Sequence, residues 1–252
     1  MGQYAAVAGG FAMQSIKKIT AVIIAVLLFA SAMTGCAKEE NTKITATATT
    51  EKTTNVGDIV KFGRYEQDNN TANGKETIAW QVLAAQDGKA LLISEKVFAV
   101  KPYNQKAKDV TWETCTLRGW LNEAFLNSAF TAQEKSRMLT TKLPNKTNAQ
   151  YGTPGGKMTN DKVFLLSFEE AGKYFSVDKD RTAEGTAYSL KTGLFALSSA
   201  ADTTGNGYWW LRSPGHSADS ARYINSDGTV GDSKVTSPFI GVRPAVWITL
   251  QF

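Results

Sequence analysis

Residues 209–215 (WWLRSPG) and 241–247 (GVRPAVW) are the two most informative stretches of this chain. Each combines aromatic or branched side chains with an arginine and a proline, a composition that suits a rigid, largely buried strand. The 25 residues between them, 216–240, are mostly small and polar, with single large side chains interspersed. We therefore predict two buried blocks that hold a solvent-facing polar segment, and we expect that segment to bind a ligand.

Eight side chains of this segment are expected to lie outermost on one surface and to contact the ligand. They are His216, Asp219, Ser220, Arg222, Tyr223, Asp227, Asp232 and Phe239. Tyr223 and Phe239 should form an apolar centre with the acids at its rim, as in a small interaction hot spot. In the flanking block we expect one of the adjacent pair Trp209 and Trp210 to face outward, because side chains alternate along a strand.

The same segment is depleted in five residue types that codons of the form NNC cannot encode. Lys, Glu, Gln, Trp and Met make up 53 of the 252 residues, yet residues 216–240 contain one of them, Lys234. Randomised adenines in AAC codons would produce this bias. Ordinary hairpin loops also favour Gly, Asn, Asp and Ser, so both explanations stay open.

The front of the chain predicts export and lipid anchoring. A basic start at Lys17 and Lys18, an apolar run from 21 to 32 and a small-residue end at Gly35 are typical of a secretory signal peptide. Met1 and Met13 are both possible starts. Cys36 follows directly and resembles the acylated cysteine of a bacterial lipobox, with a plain signal peptide as the alternative.

Three segments follow from this interpretation: a lipoprotein signal peptide at 1–35, a disordered Thr-, Lys- and Glu-rich tether at 36–55, and one domain at 56–252. Loss of residues 1–35 lowers the net charge from +5 to +3, which is too weakly basic for a nucleic-acid partner. The expected location is the bacterial cell envelope, outside the cytoplasm, with the membrane contacted only through the lipid.

Few residues suggest enzymatic or metal chemistry. Cys115 is the one cysteine besides Cys36, so neither a disulfide framework nor a thiolate metal site is expected. His216 lies near Ser213 and Asp219, but a catalytic histidine needs a shielded, oriented site that a hairpin loop rarely provides. We predict a non-enzyme without cofactor or metal.

Periodicity predicts an α+β fold with a mostly antiparallel sheet and two to three helices. Alternating residues from 56 to 65 and a hairpin around Asp87 and Gly88 indicate strands, as do residues 208–212, 221–224 and 242–250. Helical spacing begins at Leu117, and capping boxes at Thr131 and Ser167 open further helices.

Two connecting segments are also predicted. Residues 225–228 offer a turn between two short polar strands, and residues 178–206 are expected to be irregular and polar.

Five stretches together resemble a bacterial family of unknown function found in secreted, lipoprotein and multidomain surface proteins. These stretches are VGDIVKFGRY, TWETCTLRGWL, DKVFLLS with a following EA, WWLRSPG and GVRPAVW. The last two also resemble the C-terminal half of C-type-lectin-like domains, including the variable proteins of diversity-generating retroelements. That resemblance implies paired first and last strands, two helices behind them and a long loop region that carries the ligand surface.

Departures from this group narrow the options. The calcium-binding triplets of true C-type lectins are missing, as are the paired cysteines that formylglycine-generating enzymes need for copper. The sequence thus favours a lipid-anchored binding protein for an unknown surface protein or glycan, and the variable protein of such a retroelement is one form that this binding protein could take. An accessory structural domain and a cell-envelope enzyme are the alternatives.

Overall fold

The computed structural model describes residues 54–196 and 205–250, which all fall within one unit of the chain, 50–252. The predicted signal peptide, Cys36 and most of the predicted tether lie outside the described residues. None of the helices in the described part is long and apolar enough to cross a membrane.

Twelve strands lie within these ranges. They are β1 Ile59–Tyr65, β2 Glu76–Gln86, β3 Lys89–Ser94, β4 Ala99–Val100, β5 Thr141–Leu143, β6 Thr159–Asp161, β7 Val163–Phe164, β8 Trp209–Pro214, β9 Ser220–Ile224, β10 Val230–Lys234, β11 Gly241–Val242 and β12 Ala245–Thr249. They form two five-stranded sheets, ordered β1-β2-β3-β12-β7 and β10-β9-β8-β11-β4, and the small pair β5-β6. Only the short β8-β11 contact is parallel among these pairs, so the predicted α+β, mostly antiparallel class is confirmed.

The helices are short. They are α1 Thr116–Trp120, a π-helical segment Leu121–Phe125, α2 Leu126–Ala129, α3 Ala132–Arg137, α4 Phe168–Tyr174 and α5 Ala187–Lys191, with a 3-10 turn at Asp178–Arg181. The first three run on without interruption as one helical stretch. The sequence predicted two to three helices; α5, in a segment expected to be irregular, is an additional one, and the Thr186 side chain caps its start by accepting from the Ser189 N–H.

Turn and capping residues in the sequence correctly predicted where several strands and helices begin or end. Asp87 and Gly88 have φ values of 50° and 69°, as a two-residue hairpin turn between β2 and β3 requires. Thr131 and Ser167 both form capping boxes, with Glu134 and Glu170 respectively. The hairpin and both helix starts are therefore confirmed.

Two long-range expectations are wrong. The resemblance implied that the first and last strands pair, but β12 pairs with β3 and β7, while β1 pairs with β2 at the edge of the sheet. The strand predicted from 242 to 250 is also broken, because Arg243 and Pro244 separate β11 in one sheet from β12 in the other. The Pro244 carbonyl accepts a hydrogen bond from the Ser94 N–H at this crossing.

The two tryptophans of the first block are both buried. Trp209 and Trp210 are each 0 % exposed, so the expectation that one faces outward is wrong. Their indole N–H groups donate to the carbonyls of Arg181 and Lys101, which satisfies the polar edge of each ring inside the protein. Elements cover both faces of β8, so alternation along the strand does not imply exposure.

The two arginines of the blocks brace buried carbonyl groups, as a planar guanidinium can. Arg212 donates to the Leu165 carbonyl at 2.8 Å and to both carboxylate oxygens of Glu170. Arg243 donates to the carbonyls of Ser94 and Arg181 and lies 5.1 Å from the Trp209 ring. Burial lowers the pKa of Arg243 to about 9, which leaves its guanidinium protonated at neutral pH.

Cys115 is a buried thiol at the start of α1, and burial raises its pKa to about 12. At pH 8 its thiolate fraction is then about a thousandfold lower than that of an ordinary cysteine. In a Cys36→Ser variant, we expect iodoacetamide to modify Cys115 at least about a hundredfold more slowly in buffer than in 8 M urea. Mass spectrometry measures both rates, and equal rates would show that the thiol is accessible.

Candidate functional site

The segment between the two blocks folds mainly into the β9-β10 hairpin. Tyr223 lies opposite Gly231 and Arg222 opposite Asp232, and β9 pairs on its other side with β8. The connecting turn at 225–228 is held by Asp227, whose carboxylate accepts hydrogen bonds from the Thr229 hydroxyl and N–H. These bonds lower the pKa of Asp227. The first block thus fixes the hairpin to the core, and the second block adjoins the first through the β8-β11 pair.

The hairpin presents its side chains on two opposite faces. Side chains alternate along strands, so Arg222 and Asp232 share one face while Tyr223 and Ser233 share the other. Each pair lines a different surface depression. The expectation of one continuous binding surface is therefore wrong, because the eight predicted residues divide between two faces and the hairpin ends.

One face carries a cluster of four aromatic side chains, which we call the aromatic surface: Phe195, Tyr208, Tyr223 and Phe239. The rings of Tyr208 and Tyr223 stack at 5.2 Å, and Phe195 lies 4.9 Å from Tyr208. With Ser233, Ser237 and Ile240, these residues line a depression of about 270 Å³. Phe239 is 53 % and Phe195 44 % exposed, so apolar area remains open to solvent.

Gly231 allows the central ring of this surface to lie flat on the neighbouring strand. A Cβ atom at this position would lie 2.7 Å from Cζ of Tyr223, which is closer than carbon atoms approach. The Tyr223 ring also makes an edge contact with buried Trp210, at 6.3 Å. Tyr223 is thereby held between the core and the solvent.

The Tyr223 hydroxyl is a stable hydrogen-bond donor. Burial raises its pKa, and the neighbouring Tyr208, Asp232 and Asp227 raise it further. The phenol therefore stays protonated throughout the neutral range. The aromatic surface can offer stacking area, exposed apolar edges and at least one hydroxyl group to a ligand, a combination that suits recognition by contact.

The other face forms a groove around Arg222, which we call the Arg222 groove. It has a volume of about 200 Å³. Its lining residues are Lys146, Thr147, Asn148, Ala149, Gln150, Phe168, Glu169, Ser213, Pro214 and Arg222. A second depression, of about 290 Å³, shares Gln150, Phe168 and Arg222 with it and extends to Tyr151 and Asp232.

The structure places the predicted contact residues unevenly. His216, Asp227 and Phe239 are exposed, and Asp219, Arg222, Tyr223 and Asp232 are half-buried. Ser220 is buried, because only 2 % of the residue is exposed, so its assignment to the ligand surface is wrong. Its hydroxyl accepts from the Ser217 N–H and donates to the Ser217 carbonyl, which closes the turn before β9.

The polar contacts of the remaining residues are structural or local. Asp219 accepts hydrogen bonds from Lys234 and from the Ser217 hydroxyl, which lower its pKa. His216 packs edge-on against Tyr151, and its Nδ1 lies 3.9 Å from Asp232. Within the described ranges His216 forms no hydrogen bond with Ser213 or Asp219. These three residues therefore do not form a catalytic triad there.

The acids of the hairpin do not gather into a metal-binding cluster. In the part of the chain that the structure describes, Glu66, Asp68 and Glu76 form the one group whose carboxylate oxygens lie within 4.8 Å of one another. Glu76 already accepts from the N–H groups of Gln67 and Asp68, which shows a loop-stabilising role for that carboxylate. This cluster was not anticipated from the sequence.

Sequence reasoning missed Phe195, Tyr208, Asn148 and Phe168. Tyr208 adjoins the WWLRSPG block and was assigned only to a strand, and Phe195 belongs to a segment expected to be irregular. Asn148 and Phe168 contact Arg222, although each lies more than fifty positions before it in the chain. No local pattern in the sequence indicates such contacts.

The family described as Domain of unknown function (DUF6273) matches residues 87–250. The chain belongs to this family. The matched region contains both blocks, the β9-β10 hairpin, the aromatic surface and the Arg222 groove. Neither the curated proteins nor the solved structures provide a match.

Proposed function

We propose that this DUF6273 protein is a lipid-anchored, extracytoplasmic binding protein that recognises a protein or glycan ligand at the cell surface. The aromatic surface carries the proposal. Phe195 and Phe239 are large apolar side chains that remain exposed, beside the stacked pair Tyr208 and Tyr223. Such clusters on a firm support favour ligand contact, since rigid aromatic side chains contribute much of the binding energy at interfaces.

The support beneath this surface favours a recognition role over a solvated loop. Tyr223 packs on Gly231 and Trp210, and the turn at 225–228 is bound to the body of the domain. Arg181 donates from Nε to the Gly228 carbonyl at 2.9 Å. A preformed surface loses less conformational freedom on binding than a mobile loop, which favours affinity.

A C-type-lectin-like fold is part of the proposal. It is supported by the resemblance of WWLRSPG and GVRPAVW, by the mixed α+β architecture and by a polar segment mounted on buried strands. The pairing of β12 with β3 and β7 departs from the expected pairing of first and last strands. A solved structure of the chain, compared with lectin-like domains, would test this assignment.

Two other functions fit the structure less well. An accessory structural domain would leave the aromatic surface without a ligand, and its exposed phenylalanines would then serve no purpose. A cell-envelope enzyme would need a shielded site with coupled titratable groups. The Arg222 groove contains Lys146, Glu169 and Arg222 but is open to solvent, so we favour binding over catalysis.

A screen of the full chain in detergent against glycan and surface-protein arrays tests the proposal. We expect at least one ligand that the wild-type chain retains and that a Tyr223→Ala, Phe239→Ala double variant does not. Lys142→Gln, an exposed change on β5, is the matched surface control. Ligands retained equally by all three proteins would contradict binding through the aromatic surface.

Lipid anchoring makes its own prediction. A Cys36→Ser substitution should move the protein from the membrane fraction to the soluble fraction, because the acylated thiol is the proposed membrane contact. Fractionation of cells followed by immunoblotting measures the shift, and Cys115→Ser is the control that should stay with the membrane. Continued extraction of Cys36→Ser only by detergent would contradict the anchor.

The proposal also includes diversification of residues 216–240 by a retroelement. Residues 216–240 carry the codon-biased composition, and both faces of the hairpin receive side chains from them. Sequencing of the neighbouring DNA is the direct test. A reverse-transcriptase gene and a near-identical template repeat would support it, with adenines at the codons for positions such as Tyr223 and Asp232. Their absence would leave an ordinary invariant hairpin.

A further inference from the structure

The Arg222 groove lies on the hairpin face opposite the aromatic surface. Its arginine packs against an aromatic ring and has no carboxylate partner within the described residues. Cζ of Arg222 lies 4.1 Å from the centroid of the Phe168 ring, so the cation packs against an aromatic side chain. In residues 54–196 and 205–250, no carboxylate lies within 4.0 Å of its guanidinium nitrogens, although Asp232 is its partner across the strands. The guanidinium therefore keeps most of its donors available.

Buried Asn148 orients this guanidinium. The Asn148 amide group donates to the carbonyls of Pro214 and Gly215, each at 3.0 Å. Its Oδ1 atom accepts from the Gln150 N–H and from Nη2 of Arg222, at 3.0 and 3.3 Å. With Phe168 fixing the plane and Asn148 holding one edge, Arg222 is prepared to bind a planar anion through its remaining N–H groups.

The other lining groups limit the class of anion. Lys146 adds a second positive charge and Glu169 one negative charge, so the lining of the groove carries a net charge of +1, and Asp232 places one negative charge in the adjoining depression. Thr147 and Gln150 have no side-chain hydrogen bond in the described part of the chain, while most of the accessible surface of the groove is apolar. Neutral hydroxyl and amide groups beside a cation suit a ligand rich in hydroxyl groups that carries a carboxylate.

We infer that the Arg222 groove is a carboxylate subsite for an acidic saccharide, with Arg222 binding the carboxylate of a uronic-acid residue. Lys146 strengthens the positive field, and Thr147 and Gln150 offer partners for ring hydroxyls. The site does not depend on the aromatic surface, because the two occupy opposite faces of the β9-β10 hairpin. Either can fail without the other.

Calorimetric titration of the full chain in detergent with galacturonic acid trimer tests the inference. We expect measurable binding that weakens at least about tenfold when the trimer is fully methyl-esterified, because the charge-assisted hydrogen bonds are lost. Arg222→Gln should weaken binding of the free acid by a similar factor. Arg222→Lys should retain part of the affinity, since the charge stays while the planar fork is lost. Lys142→Gln, an exposed change outside both surfaces, should bind like the wild type.

Several results would overturn the inference. One is the absence of heat with the trimer at millimolar concentration, and another is equal binding of the trimer and its ester. Unchanged affinity of Arg222→Gln would also exclude Arg222 as the contact. Tighter binding of the acetylated tripeptide Gly-Ser-Gly with a free carboxylate would show a peptide site instead. Near-ultraviolet circular dichroism checks the fold of each variant, and the ester comparison on wild-type protein decides the question if a variant misfolds.

Discussion

An Arg212→Ala substitution is expected to lower the free energy of unfolding by about 3–5 kcal/mol, as loss of one partner from a buried ion pair does. Arg212 is 2 % exposed and joins Glu170, at the start of α4, to the carbonyl of Leu165 beside β7. Its removal takes the cationic partner from the Glu170 carboxylate, which keeps the Ser167 N–H as a donor, and leaves the buried Leu165 carbonyl without its side-chain donor. A cavity also remains beside Phe164, whose ring the guanidinium faces.

Urea denaturation monitored by tryptophan fluorescence measures this loss. Arg222→Ala is the matched control, because Arg222 is half-buried and forms no ion pair within the described residues. We expect that control to lose about 1 kcal/mol or less, as is usual outside the core. Equal destabilisation of the two variants would mean that Arg212 does not brace the domain.

A Trp210→Ala substitution is expected to destabilise the domain by about 3–5 kcal/mol, the usual cost of removing a buried tryptophan. Trp210 is fully buried, donates to the Lys101 carbonyl at 2.9 Å and contacts Tyr103 at 5.7 Å between ring centroids. Its loss also removes the buried ring against which Tyr223 packs. Stability and the aromatic surface should therefore be damaged together.

The contrast with Phe239, an aromatic residue of the segment between the two blocks, sharpens this prediction. Phe239→Ala removes a side chain that is 53 % exposed, so the free energy of unfolding should change by no more than about 0.5 kcal/mol. Thermal and urea denaturation of both variants give the comparison. A Trp210→Ala variant as stable as Phe239→Ala would show that the first block is not the support of the hairpin.

The sequence was sufficient where structure depends on near neighbours. The turn at Asp87 and Gly88, the capping boxes at Thr131 and Ser167 and the turn at 225–228 each require specific residues within a few positions. Backbone sterics and helix capping act over that distance, and all four were predicted correctly.

The pairing of distant strands and the burial of their side chains were harder to predict from the sequence. Which strand pairs with β12, and the burial of both Trp209 and Trp210, depend on elements that arrive from distant parts of the chain. The break at Arg243 and Pro244 has the same origin, because the chain passes there from one sheet to the other. Hydrophobic periodicity describes one element at a time and does not record what covers its second face.

The candidate site was predicted in part. Tyr223 and Phe239 do lie together with exposed area, as expected, but the acids do not form one rim around them. The alternation of β9 sends Arg222 and Asp232 to the opposite face, an outcome that follows only once the hairpin register is known. Tyr208 and Phe195 complete the aromatic surface from outside the segment on which the prediction was based.

The central claim is that the aromatic surface binds a ligand. The most direct test is the dissociation constant of an array-selected ligand for the Tyr223→Ala, Phe239→Ala double variant, compared with wild type. We predict an increase of at least about thirtyfold, equivalent to 2 kcal/mol or more for paired hot-spot residues. A dissociation constant within about threefold of wild type would contradict the claim.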